Sequence, residues 1–183
     1  VQDVFDDFVH RYQGPKLAFV VTGGGIGIHQ LAQTLGASRI LHAIHVPYSY
    51  EESQSFIYRA YVSPKGKELG SEYKQKAVSA RGADLLCMAG ARNWPNCKVI
   101  SCTASTTTNR WRRGENEAFL SLVNPTEHYT SFENKVKRYH KKVSKLDEED
   151  YNRLGLDYAQ QKRREEDREI TRYILKLALG EIQ

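Results

Sequence analysis

The sequence predicts an α/β domain, a three-layer αβα sandwich around a mixed, mostly parallel sheet. Three observations predict it. Leu17-Ala18-Phe19-Val20-Val21 is a continuous apolar run of strand length, rich in β-branched and aromatic residues, the pattern of a central strand covered on both faces. Thr22 and three glycines, Gly23, Gly24 and Gly25, come at once after it, and apolar residues at helical spacing come directly after them. Further along, strand-like and helix-like stretches keep alternating, which is how helices come to cover both faces of a sheet.

Taken in order, Val4, Phe5, Phe8, Val9 and Tyr12 fall on one face of a short opening helix that Gly14-Pro15 ends. After the first strand and the glycine turn, Ile28, Leu31, Ala32 and Leu35 predict a helix from Ile26 to Leu35, with Gly36 as its stop. Arg39 to Val46 reads as a second strand closed by Pro47. Ser49, with Glu52 three residues on, is placed to cap a helix reaching about Tyr58. Ser63-Pro64-Lys65-Gly66 is loop chemistry, and Leu69, Tyr73, Lys76, Ala77 and Ala80 fit a longer helix ending near Gly82. Asp84 to Ala89 and Lys98 to Cys102 are then expected as strands, joined by a loop from Gly90 to Asn96. Ala118 to Val123 resumes strand character after a polar stretch from Thr103 to Gly114. Residues 124–160 are charged and carry no decisive periodicity, so they are expected to be a basic insertion or arm with no conformation assigned. Arg164 to Leu179 is the clearest helix, with Ile170, Tyr173, Ile174, Leu177 and Ala178 on one face and the acids Glu165, Glu166 and Asp167 leading into it.

The chain has 183 residues, enough to enclose one core without disulfide or metal staples, so one domain over 1–183 is the expectation. No apolar run approaches the ~20 residues of a membrane helix, and membrane insertion is not expected. Three cysteines, Cys87, Cys97 and Cys102, make neither an even framework nor a C-x-x-C pair, which suits an intracellular reducing compartment. Cys102 beside the threonine-rich loop has no base close in sequence, so it reads as an inert core thiol. A chain that opens on Val1 without a secretory pattern fits a processed mature protein, and the mitochondrial matrix or the cytoplasm is the expected compartment.

The net charge of +5 is modest, but it is clustered. Lys135, Lys137, Arg138, Lys141, Lys142 and Lys145 occur in one stretch with no acid among them, interleaved or preceded by Tyr129, Phe132 and Tyr139. Such a stretch either contacts RNA phosphates or an acidic protein face, or is a solvated arm. His29, His42 and His45 do not compose a metal set, because His42 and His45 are three apart on a strand and face opposite sides. Neither a metal nor a cofactor is expected.

Two features carry candidate chemistry. The turn Thr22-Gly23-Gly24-Gly25 lies between a buried strand and a helix, where glycines let backbone approach a ligand and aim N–H groups at an anion. It lacks the Lys-Ser/Thr of a P-loop, and the same glycines also serve close helix-on-strand packing. The loop from Ser101 to Arg110 is dense in hydroxyls, and Thr103, Ser105 and Arg110 are its candidate phosphate ligands. Tyr48 and Ser49 come directly after a strand, where side chains line pockets, although Ser49 is equally placed as a helix cap.

These residues resemble the CinA carboxy-terminal domain, whose bacterial members are nicotinamide-nucleotide amidases. The resemblance rests on Thr22-Gly23-Gly24, then Gly36-Ala37-Ser38, then Val46-Pro47-Tyr48-Ser49, in that order and at similar spacing. The divergent eukaryotic branch is echoed by Thr103-Ala104-Ser105, by Arg110 and Gly114-Glu115, and by the closing Arg164-Glu165-Glu166-Asp167-Arg168 helix. It spans about residues 15–123 and 162–181. The bacterial pattern carries a serine, proposed as nucleophile, and a lysine where this chain has Val20 and Ser53. A valine supplies neither an attacking oxygen nor a base, so the resemblance implies a retained fold with the amidase chemistry lost.

The expected role is therefore a structural or binding subunit of a larger intracellular assembly, with RNA as one candidate partner. A nucleotide ligand at Thr22, Gly23, Gly24, Gly25, Tyr48, Ser49, Thr103, Ser105 and Arg110 is also implied by the resemblance, as is self-association. The alternative is an active amidohydrolase on nicotinamide mononucleotide or a related nucleotide, with Thr22 or Ser49 as nucleophile and Tyr48 beside it.

Overall fold

The computed structural model describes residues 3–125 and 135–182. Its centre is a five-stranded sheet in the order β2-β1-β3-β4-β5. The strands are β1 (Leu17–Thr22), β2 (Leu41–His45), β3 (Lys98–Ser105), β4 (Glu117–Val123) and β5 (Lys137–Lys142). β1 pairs in parallel with β2 and β3, whereas β3–β4 and β4–β5 are antiparallel, so the sheet is mixed.

Side chains alternate across β1 and build two separate cores. Leu17, Phe19 and Val21 face a layer made of α1 (Val4–Arg11), the segment Ile26–Gln33 and the last third of α5 (Glu148–Ala178). Ala18 and Val20 face α2 (Tyr50–Ala60), α3 (Lys65–Gln75) and α4 (Ala80–Asn93). All six residues of β1 are buried, as a central strand covered on both faces requires. The expected αβα sandwich is the observed one.

Several elements differ from expectation, each for a local reason. Ile26–Gln33 is a 3-10 helix, whose three-residue turn puts Ile28 and Leu31 over each other on the core. Gly36, at φ 89°, ends the preceding turn and opens a second short 3-10 turn, Ala37–Arg39, before β2 begins. The helix through Leu69 and Tyr73 stops at Gln75 and does not reach Gly82. Ser79 accepts from the Gly82 N–H and starts α4 there. Asp84 to Ala89 is therefore helical, inside α4, and the expected Gly90 to Asn96 loop shrinks to the residues after Asn93. Every residue from Gly82 to Ala91 is buried. A helix wedged between a sheet and two other helices has no polar face, so its apolar run imitates a buried strand.

The arm expected over residues 124–160 contributes two regular elements. Lys137–Lys142 is the edge strand β5, and α5 begins at Glu148, capped by Asp147. A kink at Gly155, with φ 82°, divides α5, and the helix expected from Arg164 is its second part. Tyr129 and Phe132, the aromatics of the basic stretch, lie outside the described residues.

Candidate functional site

The glycine turn is shaped by what presses on it. Gly23 and Gly25 have φ of 77° and 78°, a region that glycine enters without strain. A Cβ on Gly23 would sit 2.2 Å from the Ala104 carbonyl oxygen, and one on Gly25 would sit 2.6 Å from Ile174 Cδ1. Gly24 is closed in by Ala104 and by Ile170. The turn thus lets the end of β1 lie against β3 below and α5 above.

The amides after the turn already have an anion. Ile26 and Gly27 donate their N–H groups to the two oxygens of the Asp167 carboxylate, each at 2.9 Å. The threonine loop is held in the same way by the neighbouring acid. Thr107 donates from its N–H and its hydroxyl to Glu166, both at 2.7 Å, and Asn116 Nδ2 donates to the same carboxylate at 2.8 Å. Glu166 is buried, and Arg163 completes the clasp by donating to the Thr107 carbonyl at 2.8 Å. Arg112 donates to the Thr106 carbonyl, and Tyr151 to that of Thr108. One helix, α5, therefore supplies the carboxylates that satisfy both loops at the carboxyl end of the central strands.

This corrects the reading of Glu165, Glu166 and Asp167 as acids opening a helix. They sit well inside α5, whose first turn carries Glu148, Glu149 and Asp150 instead. The dipole argument holds only at a true amino end, and here the helix runs on upstream. Sequence reasoning missed Asp167 and Glu166 as loop ligands; the signal was present as two adjacent acids on a helix carrying the Ile170 and Ile174 core face.

The other face of the sheet holds the remaining candidates. Val20 is fully buried among Phe56, Ile57, Leu69, Tyr73 and Leu86. Thr22, the last residue of β1, and Thr103 in β3 are register partners, and both are buried. Ser53 is also buried and donates to the Pro47 carbonyl at 2.9 Å. The Tyr73 hydroxyl lies among these groups; burial raises its pKa, and hydrogen bonds with Ser53 and Thr103 partly offset that rise. Ser49 accepts from Glu52 N–H as the cap of α2, while Tyr48 is 68% exposed. Ser105 is half-buried and Arg110 is exposed. Thr22, Ser53 and Thr103 thus share one layer, whereas Gly23, Gly24 and Gly25 turn toward α5 and Arg110 reaches solvent.

Between the turn and α5 lies a cleft of about 480 Å³ whose lining includes Gly23, Gly27, His29, Thr106, Arg164 and Arg168. The cysteines offer no nucleophile, because burial pushes the thiols of Cys87 and Cys102 far above their ordinary value. Cys87 lies in α4, not in a strand. Among the described residues no three His, Cys, Asp or Glu side chains gather as a metal would need, and no helix is long and apolar enough to cross a membrane.

The basic stretch is partly committed to the fold. Arg138 pairs with the buried carboxylate of Asp84 at 2.6 Å, and Ser121 donates to the same group. Lys141 pairs with Glu169 on α5, and Lys145 lies over the Trp111 ring and donates to the carbonyls of Arg112 and Gly114. Lys135, Lys137 and Lys142 are exposed at the sheet edge.

No family model and no curated protein matches this chain. Solved structures do. The competence/damage-inducible protein CihA of Agrobacterium tumefaciens superposes with a TM-score of 0.65 at 14% identity, covering 98% of this chain and 97% of that one. A competence-damaged protein (CinA) superfamily structure of Klebsiella pneumoniae gives 0.61 at 7% identity, over 98% and 94% of the two chains. A competence or damage-inducible protein of Enterobacter asburiae gives 0.59 at 10%, over 98% and 96%. At such identities the likeness is one of fold, and the chain has the CinA-like fold that its motifs led us to expect.

Proposed function

We propose that this CinA-like domain has no amidase chemistry and serves as a structural or binding subunit of a larger intracellular assembly. The observation that carries the reading is Val20. The position where the resemblance expects a nucleophilic serine is a fully buried valine packed on Phe56, Ile57 and Tyr73. Amide hydrolysis by a hydroxyl needs an oxygen within hydrogen-bond reach of a base, and a methyl pair in an apolar cluster supplies neither. Ser53, at the expected lysine position, spends its hydroxyl on the Pro47 carbonyl. Ser49 is engaged as a cap. Thr22 pairs in register with Thr103 beside the Tyr73 hydroxyl, whose pKa burial raises.

The assembly role draws support from the outer strand. β5 and its flank present Lys135, Lys137 and Lys142 along an edge that no strand among the described residues covers, a chemistry that suits RNA phosphates or an acidic protein face. The reading is tested by ammonia release from nicotinamide mononucleotide. No release above background is expected from the native chain. Release that disappears in Thr22→Ala or Ser49→Ala would establish the amidohydrolase instead. Native migration in a large complex is expected for the assembly, and salt-sensitive RNA binding if its partner is a ribonucleoprotein.

A further inference from the structure

The two edges of the sheet are unlike each other. β2, Leu-His-Ala-Ile-His, carries no lysine or arginine, whereas four of the six residues of β5 are lysine or arginine. Arg138 and Lys141 are spent on Asp84 and Glu169. Lys137 and Lys142, with Lys135 just ahead of the strand, are exposed and make no ion pair with the described residues. Lys98 stands near the start of the same strand: burial first, and then the charge of Lys137, lower its pKa. Positive charge therefore meets positive charge at that end of β5.

Side chains leave alternate sides of a strand. Tyr139 and Lys141 go to the layer that holds α5 and Arg138 goes to α4, so Lys137 leaves on the α5 side and Lys142 on the α4 side. Between the two lysines runs a row of backbone groups. Residues of an antiparallel edge strand aim their N–H and C=O groups alternately at the neighbouring strand and away from it. On the outer side of β5 no described backbone group takes them. A ladder of donors and acceptors with a free ammonium at each end complements an extended peptide that carries an acid near each end.

We propose that β5 receives an acidic segment of a partner protein as an added strand, with carboxylates five residues apart opposite Lys137 and Lys142. This rests on the reading of the domain as a binding subunit and gives its partner a chemistry. RNA is the poorer fit. Single-stranded RNA stacks its bases on aromatic rings beside the cations. Here Tyr139 packs on the core, the Phe119 ring stacks on His140, and no large apolar side chain is exposed among the described residues from Lys135 to Lys145. A second copy fits no better, because pairing two β5 edges sets the lysines of one strand against those of the other. Lysines on an edge thus turn away its own kind and select an acidic strand.

Fluorescence anisotropy of the full chain with a labelled Glu-Val-Thr-Val-Thr-Glu peptide tests it. The controls are Lys-Val-Thr-Val-Thr-Lys, the acidic peptide N-methylated at its central residues, and a single-stranded oligouridylate. The acidic peptide is expected to bind at millimolar concentration or below, and the three controls are not. Lys137→Glu/Lys142→Glu should weaken that binding by about tenfold or more, and Lys137→Gln/Lys142→Gln by about threefold. Both variants should melt at the native temperature, since the two side chains are exposed. The proposal is overturned if the acidic peptide does not bind, if its N-methylated form binds as tightly, or if the charge-reversed variant binds as tightly as the native chain. It is equally overturned if only the oligouridylate binds, or if sedimentation shows a dimer that the charge-reversed variant abolishes. A peptide that fails while the native chain migrates in a large complex removes this inference and leaves the assembly reading standing. A peptide that binds while the native chain migrates alone does the reverse.

Discussion

Glu166 shows how much a single side chain organises here. Its carboxylate is buried and accepts from the Thr107 amide, the Thr107 hydroxyl and Asn116, so it fixes the conformation of a loop 59 residues away in sequence. Removing it leaves three donors unsatisfied in the interior. Glu166→Ala is expected to cost about 3 kcal/mol in urea unfolding, with Glu166→Gln costing less because an amide oxygen still accepts. His45 makes a different point. Burial, with Arg59 second, lowers its pKa below the ordinary 6.5. The folded state thus prefers the neutral ring more than the unfolded chain does. Its contribution is full above pH 6.5 and is lost as pH falls through the lower folded value. Native protein should lose stability between pH 7 and 5 by more than His45→Gln does, in melts recorded across about that range.

At the scale of elements, β5 and α4 explain each other. Asp84, in the second turn of α4, is buried yet satisfied, because Ser121 of β4 and Arg138 of β5 both reach it. The edge strand is therefore tied to the helical layer by an ion pair with one buried and one exposed partner. Arg138→Ala leaves the carboxylate with Ser121 alone and should destabilise by about 1–2 kcal/mol, discounted for the exposure of the arginine. Lys137→Ala, exposed on the same strand, should change stability by less than about 0.5 kcal/mol. If the two variants have equal effects by chemical denaturation, the pair contributes nothing. This also divides the basic stretch into residues that hold the fold and residues left to meet a partner, a division that composition alone does not contain.

Across the whole molecule, two cores on either side of β1 make the sheet the shared wall of both. Cys87 and Cys102 lie on opposite sides of that wall, and burial raises the pKa of both thiols. Their alkylation should therefore report opening of each layer separately. With an excess of iodoacetamide at about pH 8, both should react only at the rate of global unfolding. Faster labelling of one would mean that its layer opens without the other.

The parts legible in the sequence were those governed by neighbours along the chain. Strand β1, the capped start of α2 at Ser49, the opening helix and the second half of α5 each carry their own periodicity or cap, so local chemistry sufficed. The CinA-like fold was legible for the same reason, through short motifs in a fixed order. The rest needed contacts between distant segments. α4 hid because complete burial erases amphipathicity, and β5 hid because an edge strand of lysines reads as solvated surface. The turn Thr22-Gly23-Gly24-Gly25 was read either as aiming N–H groups at an anion or as serving helix-on-strand packing, and only the approach of α5 decided that Asp167 takes the Ile26 and Gly27 amides just after it. The valine in place of serine was written in the chain, but its burial under Phe56, Ile57 and Tyr73 was decided by the packing of α2 and α3 on the sheet. Sequence specifies which groups are present; whether each is spent or free depends on what the fold brings against it.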